Sequence, residues 1–350
     1  MKAKIIGAII LAVAAAAAGI FLLFGENTKA TTLNGYLGGE KIGIFEDEEI
    51  AGYIRKNYHL EFNYSRAGSL DMVTADLTGR DYLFPSSQTA LEYFNEVHGK
   101  GKSEEIVFNT PIVLYSHKIV AEALEKQGIV YKTDDVYYAD MEKLTQLIIE
   151  EKQWSDIGLP QLYGSFCVDT TDPARSNSGN MFAALLANSL NGGKTVDINT
   201  VDNILPQLKK IFSRTGYMET SSSDLFNQFL RMGVGAKPII AGYESQLLEY
   251  AAENPDAYNR IKDDVVIIYP SPTVWSTHIF IALDDAGKTG IDALTDPEVQ
   301  KLAWKKHGFR TGGFVGESSE IPVSGIPDTI TSVMNIPDYS VMKQIIEELK

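Results

Sequence analysis

Cysteine is all but absent from this 350-residue chain, with Cys167 standing alone. No intrachain disulfide and no cysteine-rich zinc site can form, and cystine usage says nothing of the compartment. Positive charge is short as well: 31 Lys and Arg face 46 Asp and Glu, a formal net charge of −15. That balance excludes a nucleic-acid binder, because phosphates demand a basic surface. Histidine is sparse, and His59, His98, His117, His278 and His307 make no ligand pair at helical spacing. The signatures of common enzymes are missing. There is no Gly-x-Ser-x-Gly elbow, no His-Glu-x-x-His and no Walker loop. No internal repeat is evident. We read the chain as a non-enzyme without cofactor or metal.

What is present is enough apolar residue, 44% of the chain, to build more than one core. The amino terminus is distinctive. Met1-Lys2-Ala3-Lys4 precedes an uncharged apolar run from Ile5 to Phe24. At about 1.5 Å per residue such a helix crosses a roughly 30 Å hydrocarbon layer. Flanking lysines and the following Glu26 put the amino terminus inside and the body outside the cell. Residues 1–25 are expected to form a signal anchor, or transmembrane helix, and residues 26–39 a polar tether. A signal peptide cut near Ala14–Ala18 is the rival, and it would leave the body secreted. No cysteine ends the segment, so a lipid anchor is excluded.

Beyond the tether, strand, turn and helix signals repeat. Lys41–Phe45 reads as a strand before a helix over Glu46–Tyr58, and Leu60–Tyr64 as a second strand before the turn Ala67-Gly68-Ser69. Tyr82-Leu83-Phe84 leads through Pro85-Ser86-Ser87 into a third helix. Such units imply an α/β fold with a doubly wound parallel sheet, whose ligands bind beyond the carboxyl ends of the strands. Val107–Tyr115, interrupted by Pro111, reads as a crossover to a second lobe. Val265–Pro270 and Trp275–Leu283 bring the chain back. Asp284–Lys288 reads as a tight, hairpin-like turn. The expected division is 40–115 plus 272–350 for lobe 1 and 116–271 for lobe 2.

The richest stretch is Asp169-Thr170-Thr171-Asp172-Pro173-Ala174-Arg175-Ser176-Asn177-Ser178-Gly179-Asn180. Asp172-Pro173 breaks a strand, and Ser176, Asn177 and Ser178 are helix-capping types ahead of an Ala/Leu-rich helix. Free amides, the positive end of the helix dipole, two hydroxyls and Arg175 would converge there on a small anionic or polar solute. Gly179 would let that solute approach the backbone. Tyr243 and Glu244 stand at a comparable strand-to-helix turn.

From Gly39 to Thr311 the chain resembles extracytoplasmic solute-binding proteins of ABC importers, of the type 2 periplasmic-binding fold. The likeness rests on the order of elements and on Asp172-Pro173 followed by Ser176-Asn177-Ser178-Gly179. It rests also on Tyr243-Glu244-Ser245, and on Asp296-Pro297-Glu298-Val299-Gln300 to Trp304 with His307-Gly308-Phe309-Arg310. The Arg175–Gly179 turn is similar to that of the phosphate binders within the phosphate, molybdate and sulfate branch, and Gly68-Ser69 to their Gly-Ser turn. The resemblance implies two doubly wound lobes on a two-strand hinge near Pro111–Ser116 and Ile268–Thr277. Closure would trap a small polar solute, with an oxyanion the first expectation, and a membrane permease would receive it from a monomer. The implied ligand-binding residues are Ser69, Ser86, Ser87, Arg175, Ser176, Ser178, Gly179, Tyr243, Glu244 and Thr277.

The acids Glu46-Asp47-Glu48-Glu49 and Glu244 would repel a dianion. Either they face away, or the solute carries a positive or donating group. A metal complex, an amine-bearing solute or a sugar therefore stays open, and Trp154, Trp275 and Trp304 either stack on a sugar or pack the core. A hydrolase and an adhesion or sensor module are the rival classes.

Overall fold

A computed structural model of the chain describes residues 30–312 and 316–350. The expected anchor over Ile5–Phe24 lies outside the described residues. Among these, no helix is long and apolar enough to cross a membrane.

Leu33, Gly35 and Leu37 alternate inward while their neighbours stay at least partly exposed, so Thr31–Leu37 forms β1. It lies parallel between β2 (Leu60–Arg66) and β3 (Tyr82–Phe84). Two expectations are corrected here. Half of the supposed tether over 26–39 is this strand, and the supposed strand Lys41–Phe45 is a 3-10 turn, Gly39–Lys41, followed by a short helix, Ile42–Glu46. The four-residue run Ile42-Gly43-Ile44-Phe45 is too short for its period to separate strand from helix. Its carboxyl end is set by Asp47, which caps the next helix, α1 (Glu48–Tyr58), by accepting from the amides of Glu49 and Ile50.

The remaining strands are β4 (Ser103–His117), β5 (Val130–Thr133), β6 (Val136–Asp140), β7 (Ile239–Tyr243), β8 (Val265–Ser271) and β9 (Trp275–Ala282). Hydrogen bonding orders them β2-β1-β3-β9-β4-β8-β6-β5, with β7 also paired to β4. The sheet is mixed rather than wholly parallel. β4 runs antiparallel to β9 from Ser103 to Pro111, and then antiparallel to both β7 and β8 from about Ile112 onward. One long strand thus serves two sheet halves, and Pro111 sits where it passes from one to the other. β8 and β9, joined through Pro272, carry the chain back beside it, and Thr273 Oγ1 donates to the Ile112 carbonyl at 2.6 Å.

Helices flank both halves. Beside the first half lie α1 and α2 (Gln88–His98). The second half carries α3 (Asn177–Leu190), α4 (Ser222–Met232) and α5 (Glu244–Glu253). α6 (Asp285–Leu294) and α7 (Pro297–His307) return to the first half. The expected hairpin-like turn at Asp284–Lys288 is the start of α6, because the Asp284 carboxylate accepts the Gly287 amide at 2.7 Å and nucleates the helix. Leu33, Leu37, Phe84, Phe280 and Phe309 centre the core of the first half, and Leu114, Phe182, Leu185, Ile239 and Ile268 the larger core of the second. The last helix, α8 (Tyr339–Glu348), buries Val341, Met342 and Ile345 in that second core. Its Tyr339 stacks on Tyr93 of α2, ring centres 4.7 Å apart.

Candidate ligand cleft

A cleft of about 490 Å³ opens where the two halves of the sheet meet. One wall is built from the carboxyl ends of β1 and β2: Gly38-Gly39-Glu40 after β1, and Arg66-Ala67-Gly68-Ser69 with Asp71 after β2. The facing wall is built from helix starts: Arg175, Ser176 and Asn177 at α3, Thr220 to Asp224 at α4, and Tyr243 just before α5. Ser176 and Ser221 are the N-caps of α3 and α4, yet neither side chain caps its own helix. The first amides of both helices are left without that partner, and each helix turns the positive end of its dipole to this region.

Hydrogen bonds already join and brace the two sides. Arg66 Nη2 donates to Ser221 Oγ at 3.1 Å. Asn177 Nδ2 donates to the Ser86 carbonyl at 2.9 Å and to Tyr243 Oη at 3.0 Å. Ser276 Oγ donates to the same Ser86 carbonyl at 2.8 Å. Arg175 is exposed and lines the cleft, and its side chain has no hydrogen-bond or ion-pair partner among the described residues.

Below the first wall lies a buried polar cluster. Lys41, with no exposed surface, donates from Nζ to Glu40 Oε1 at 2.5 Å and to Ser86 Oγ at 2.6 Å, with His278 Nδ1 3.1 Å away. Ser86 Oγ donates to the same Glu40 oxygen. Burial alone would raise the Glu40 pKa. The Lys41 charge, then His278, and the bonds from Lys41 and Ser86 outweigh it and hold the carboxyl down at about 2. Burial also draws the Lys41 pKa down, against the pull of Glu40. Burial, then the Lys41 charge, hold the His278 imidazole neutral well below its ordinary range. Burial, with Glu40 nearby, pushes the Tyr243 phenol up, so it stays a neutral donor.

Of the ten residues expected at the site, Ser69, Arg175, Ser176 and Tyr243 line the cleft. Three more stand behind them. Ser86 braces Glu40, and its amide donates to Ser69 Oγ at 2.9 Å. Ser178 is buried between Thr171 Oγ1 at 2.7 Å and Ser176 Oγ at 3.1 Å. Gly179 faces the protein rather than a solute: a Cβ there would collide with the Thr171 carbonyl and lie 2.8 Å from the Pro173 nitrogen. Gly179→Ala is therefore expected to cost about 1–3 kcal/mol of stability by overpacking. A urea titration that moves by less than 0.5 kcal/mol would contradict that contact.

The other three are turned elsewhere. Ser87 caps α2 through the Ala90 amide. Glu244 is fully buried, its carboxylate held by Arg310 Nε at 2.6 Å and Nη2 at 2.8 Å and by Tyr269 Oη at 2.5 Å. Thr277 lies on the face of β9 opposite to Ser276 and His278, because side chains alternate along a strand. The acids of the 46–49 run also face away. Asp47 pairs with Lys306 at 2.9 Å and Glu46 accepts from Tyr64 at 2.7 Å. No tryptophan lines the cleft; Trp154 and Trp304 are core residues.

Sequence reasoning missed Glu40, Arg66, Asp71, Asn177 as a crossing residue, and the Thr220–Asp224 turn. A signal existed for the last: three serines in a row exceed what one N-cap needs.

No protein-family model matches the chain, and no curated protein matches it by sequence. Solved structures do. A putative extracellular solute-binding protein from Bordetella parapertussis aligns over 91% of this chain and 96% of its own, at 11% identity and a TM-score of 0.61. The periplasmic binding protein AfuA from Actinobacillus pleuropneumoniae, with exogenous fructose-6-phosphate bound, aligns over 91% and 97%, at 16% identity and a TM-score of 0.59. The substrate binding protein of an ABC transporter from Agrobacterium tumefaciens aligns over 93% and 96%, at 14% identity and a TM-score of 0.56. The chain has the mixed α/β fold of periplasmic substrate-binding proteins, and at these identities the likeness is one of fold.

Proposed function

We propose that the protein is an extracytoplasmic solute-binding protein that captures a small solute through an oxyanion group and passes it to an ABC-type permease. One observation carries the reading: helix starts at 177 and 222 with Arg175 on one wall, and Arg66 with Ser69 on the other, converge on a single cleft. Unfilled helix amides and guanidinium forks suit phosphate, sulfate or carboxylate oxygens. The two halves act as lobes, β4 and the β8–β9 passage serve as the hinge, and closure replaces water around the solute with fixed donors. The body lies outside the cell membrane, tethered by its amino-terminal segment, and works as a monomer. It binds without turning its solute over: Ser86, Lys41 and His278 are buried behind the cleft, where no substrate reaches them.

Arg175→Ala tests the site. It removes a charged donor and leaves the core untouched, so affinity should fall by about 1.5–3 kcal/mol, roughly 10- to 150-fold, with the melting temperature of the free protein unchanged. Titration calorimetry on both proteins measures it. Equal affinities would take the anion site away from this cleft.

A further inference from the structure

We propose that the solute is not a bare oxyanion but an organic one that also carries hydrogen-bond donors, and that Glu40 selects it. This rests on the capture reading above and specifies the other end of the solute.

Glu40 lines the cleft, and its side chain keeps 11% of its surface exposed. Among the described residues its hydrogen bonds all run through Oε1, to Lys41 and Ser86 behind it. Its second oxygen, Oε2, has no partner among the described residues. An ionised carboxylate is an acceptor only, so what it lacks is a donor. Lys41 balances its charge but does so from a fully buried position, so the pair turns its negative end toward the solute. Asp71 and Asp224 add two more carboxylates to the lining. A dianion without protons finds like charge there; a hydroxyl or amine finds acceptors.

Size agrees with charge. The walls are already bridged by Arg66 to Ser221 and by Asn177 to Ser86, yet about 490 Å³ remains between them. That volume falls in the roughly 300–1,000 Å³ range of pockets that hold organic ligands. It far exceeds what a five-atom tetrahedral ion fills. The anionic end belongs with Arg66, Arg175 and the helix starts, and the hydroxyl- or amine-bearing end with Glu40.

The test uses the full chain at pH 7.5, with calorimetry and thermal shift. The probes are glucose 6-phosphate and 2-aminoethylphosphonate as donor-bearing anions, sulfate and molybdate as donor-free ones, and glucose as the neutral control. At least one donor-bearing anion should bind tenfold or more tightly than sulfate, and which of the two does so separates hydroxyl from amine. Glu40→Gln keeps an oxygen for Lys41 but offers an amide to the cleft. It should weaken the preferred organic anion at least tenfold while strengthening sulfate, a reversal that mere loss of structure would not produce. Should that variant fail to fold, the preference in the unaltered protein decides alone. Sulfate or molybdate binding as tightly as both organic anions would overturn this inference and leave solute capture standing. Glucose binding as tightly as glucose 6-phosphate, or no probe binding at millimolar concentration, would overturn both.

Discussion

Replacing Arg310 with alanine is expected to lower the unfolding free energy by about 3–5 kcal/mol, because it strands the fully buried carboxylate of Glu244 without its counter-charge. Arg310 also donates to the carbonyls of Pro327 at 2.7 Å and Asp328 at 2.9 Å, and it packs over Trp304. Its backbone pairs with Asn109 of β4. The residue therefore ties the end of α7 to the start of α5 beside the crossing strands. Urea unfolding followed by circular dichroism measures the loss. A companion protein with Glu244→Met and Arg310→Met together should recover much of it, since neither charge is then left alone in the core. A single-variant loss below 1 kcal/mol would show that the pair is solvated.

Lys41→Met should have an effect of the same order, about 3–5 kcal/mol at pH 7, and it carries a signature in pH. In the unaltered protein the Glu40 pKa is about 2 against an ordinary 4.5. A carboxyl depressed on folding adds stability that is fully present above 4.5 and is lost as pH falls through 2, here about 3 kcal/mol. Without the ammonium, burial is left as the larger influence and raises the folded pKa above 4.5. The sign then reverses, and the Glu40 contribution is most favourable below 4.5 and is lost as pH rises through the folded value. The stability gap between the two proteins should be widest near pH 7 and narrow steadily from the raised value of the variant, through 4.5, down to about 2. A gap that stays constant with pH would mean that Glu40 and Lys41 are not coupled in the fold.

The parts of the molecule that were legible in the sequence are those whose chemistry is local. Ser176-Asn177-Ser178 announced a helix start from its own residue types, and Asp296-Pro297 did the same for α7. Pro111 marked a change of neighbours along β4 because a missing amide disrupts a ladder. What could not be read depends on which surfaces meet. β1 hid among Thr, Asn and Gly because only Leu33, Gly35 and Leu37 of it are turned to the core. Thr277 is expected at the site, yet its neighbour Ser276 is the one that meets Asn177 and the Ser86 carbonyl, a one-residue difference that moves a side chain to the other side of a strand. Glu244 follows Tyr243 directly, yet the turn into α5 sends it backward to Arg310, 66 residues along the chain. Glu40 and Arg66 gain their meaning only once the ends of β1 and β2 lie opposite the starts of α3 and α4.

The crossing at Ser86 has a consequence for how such a protein can change over generations. Asn177 and Ser276 both hold the main-chain oxygen of residue 86 rather than its side chain. Every amino acid brings that oxygen, so substitutions at 86 can rework the support beneath Glu40 while leaving the latch in place. The strength of this latch is adjusted from position 177, with Ser276 bracing the same oxygen, while the second bond between the walls depends on Arg66 and Ser221. On the capture reading proposed above, solute preference and ease of opening would rest on different residues, and a lineage could alter one without surrendering the other.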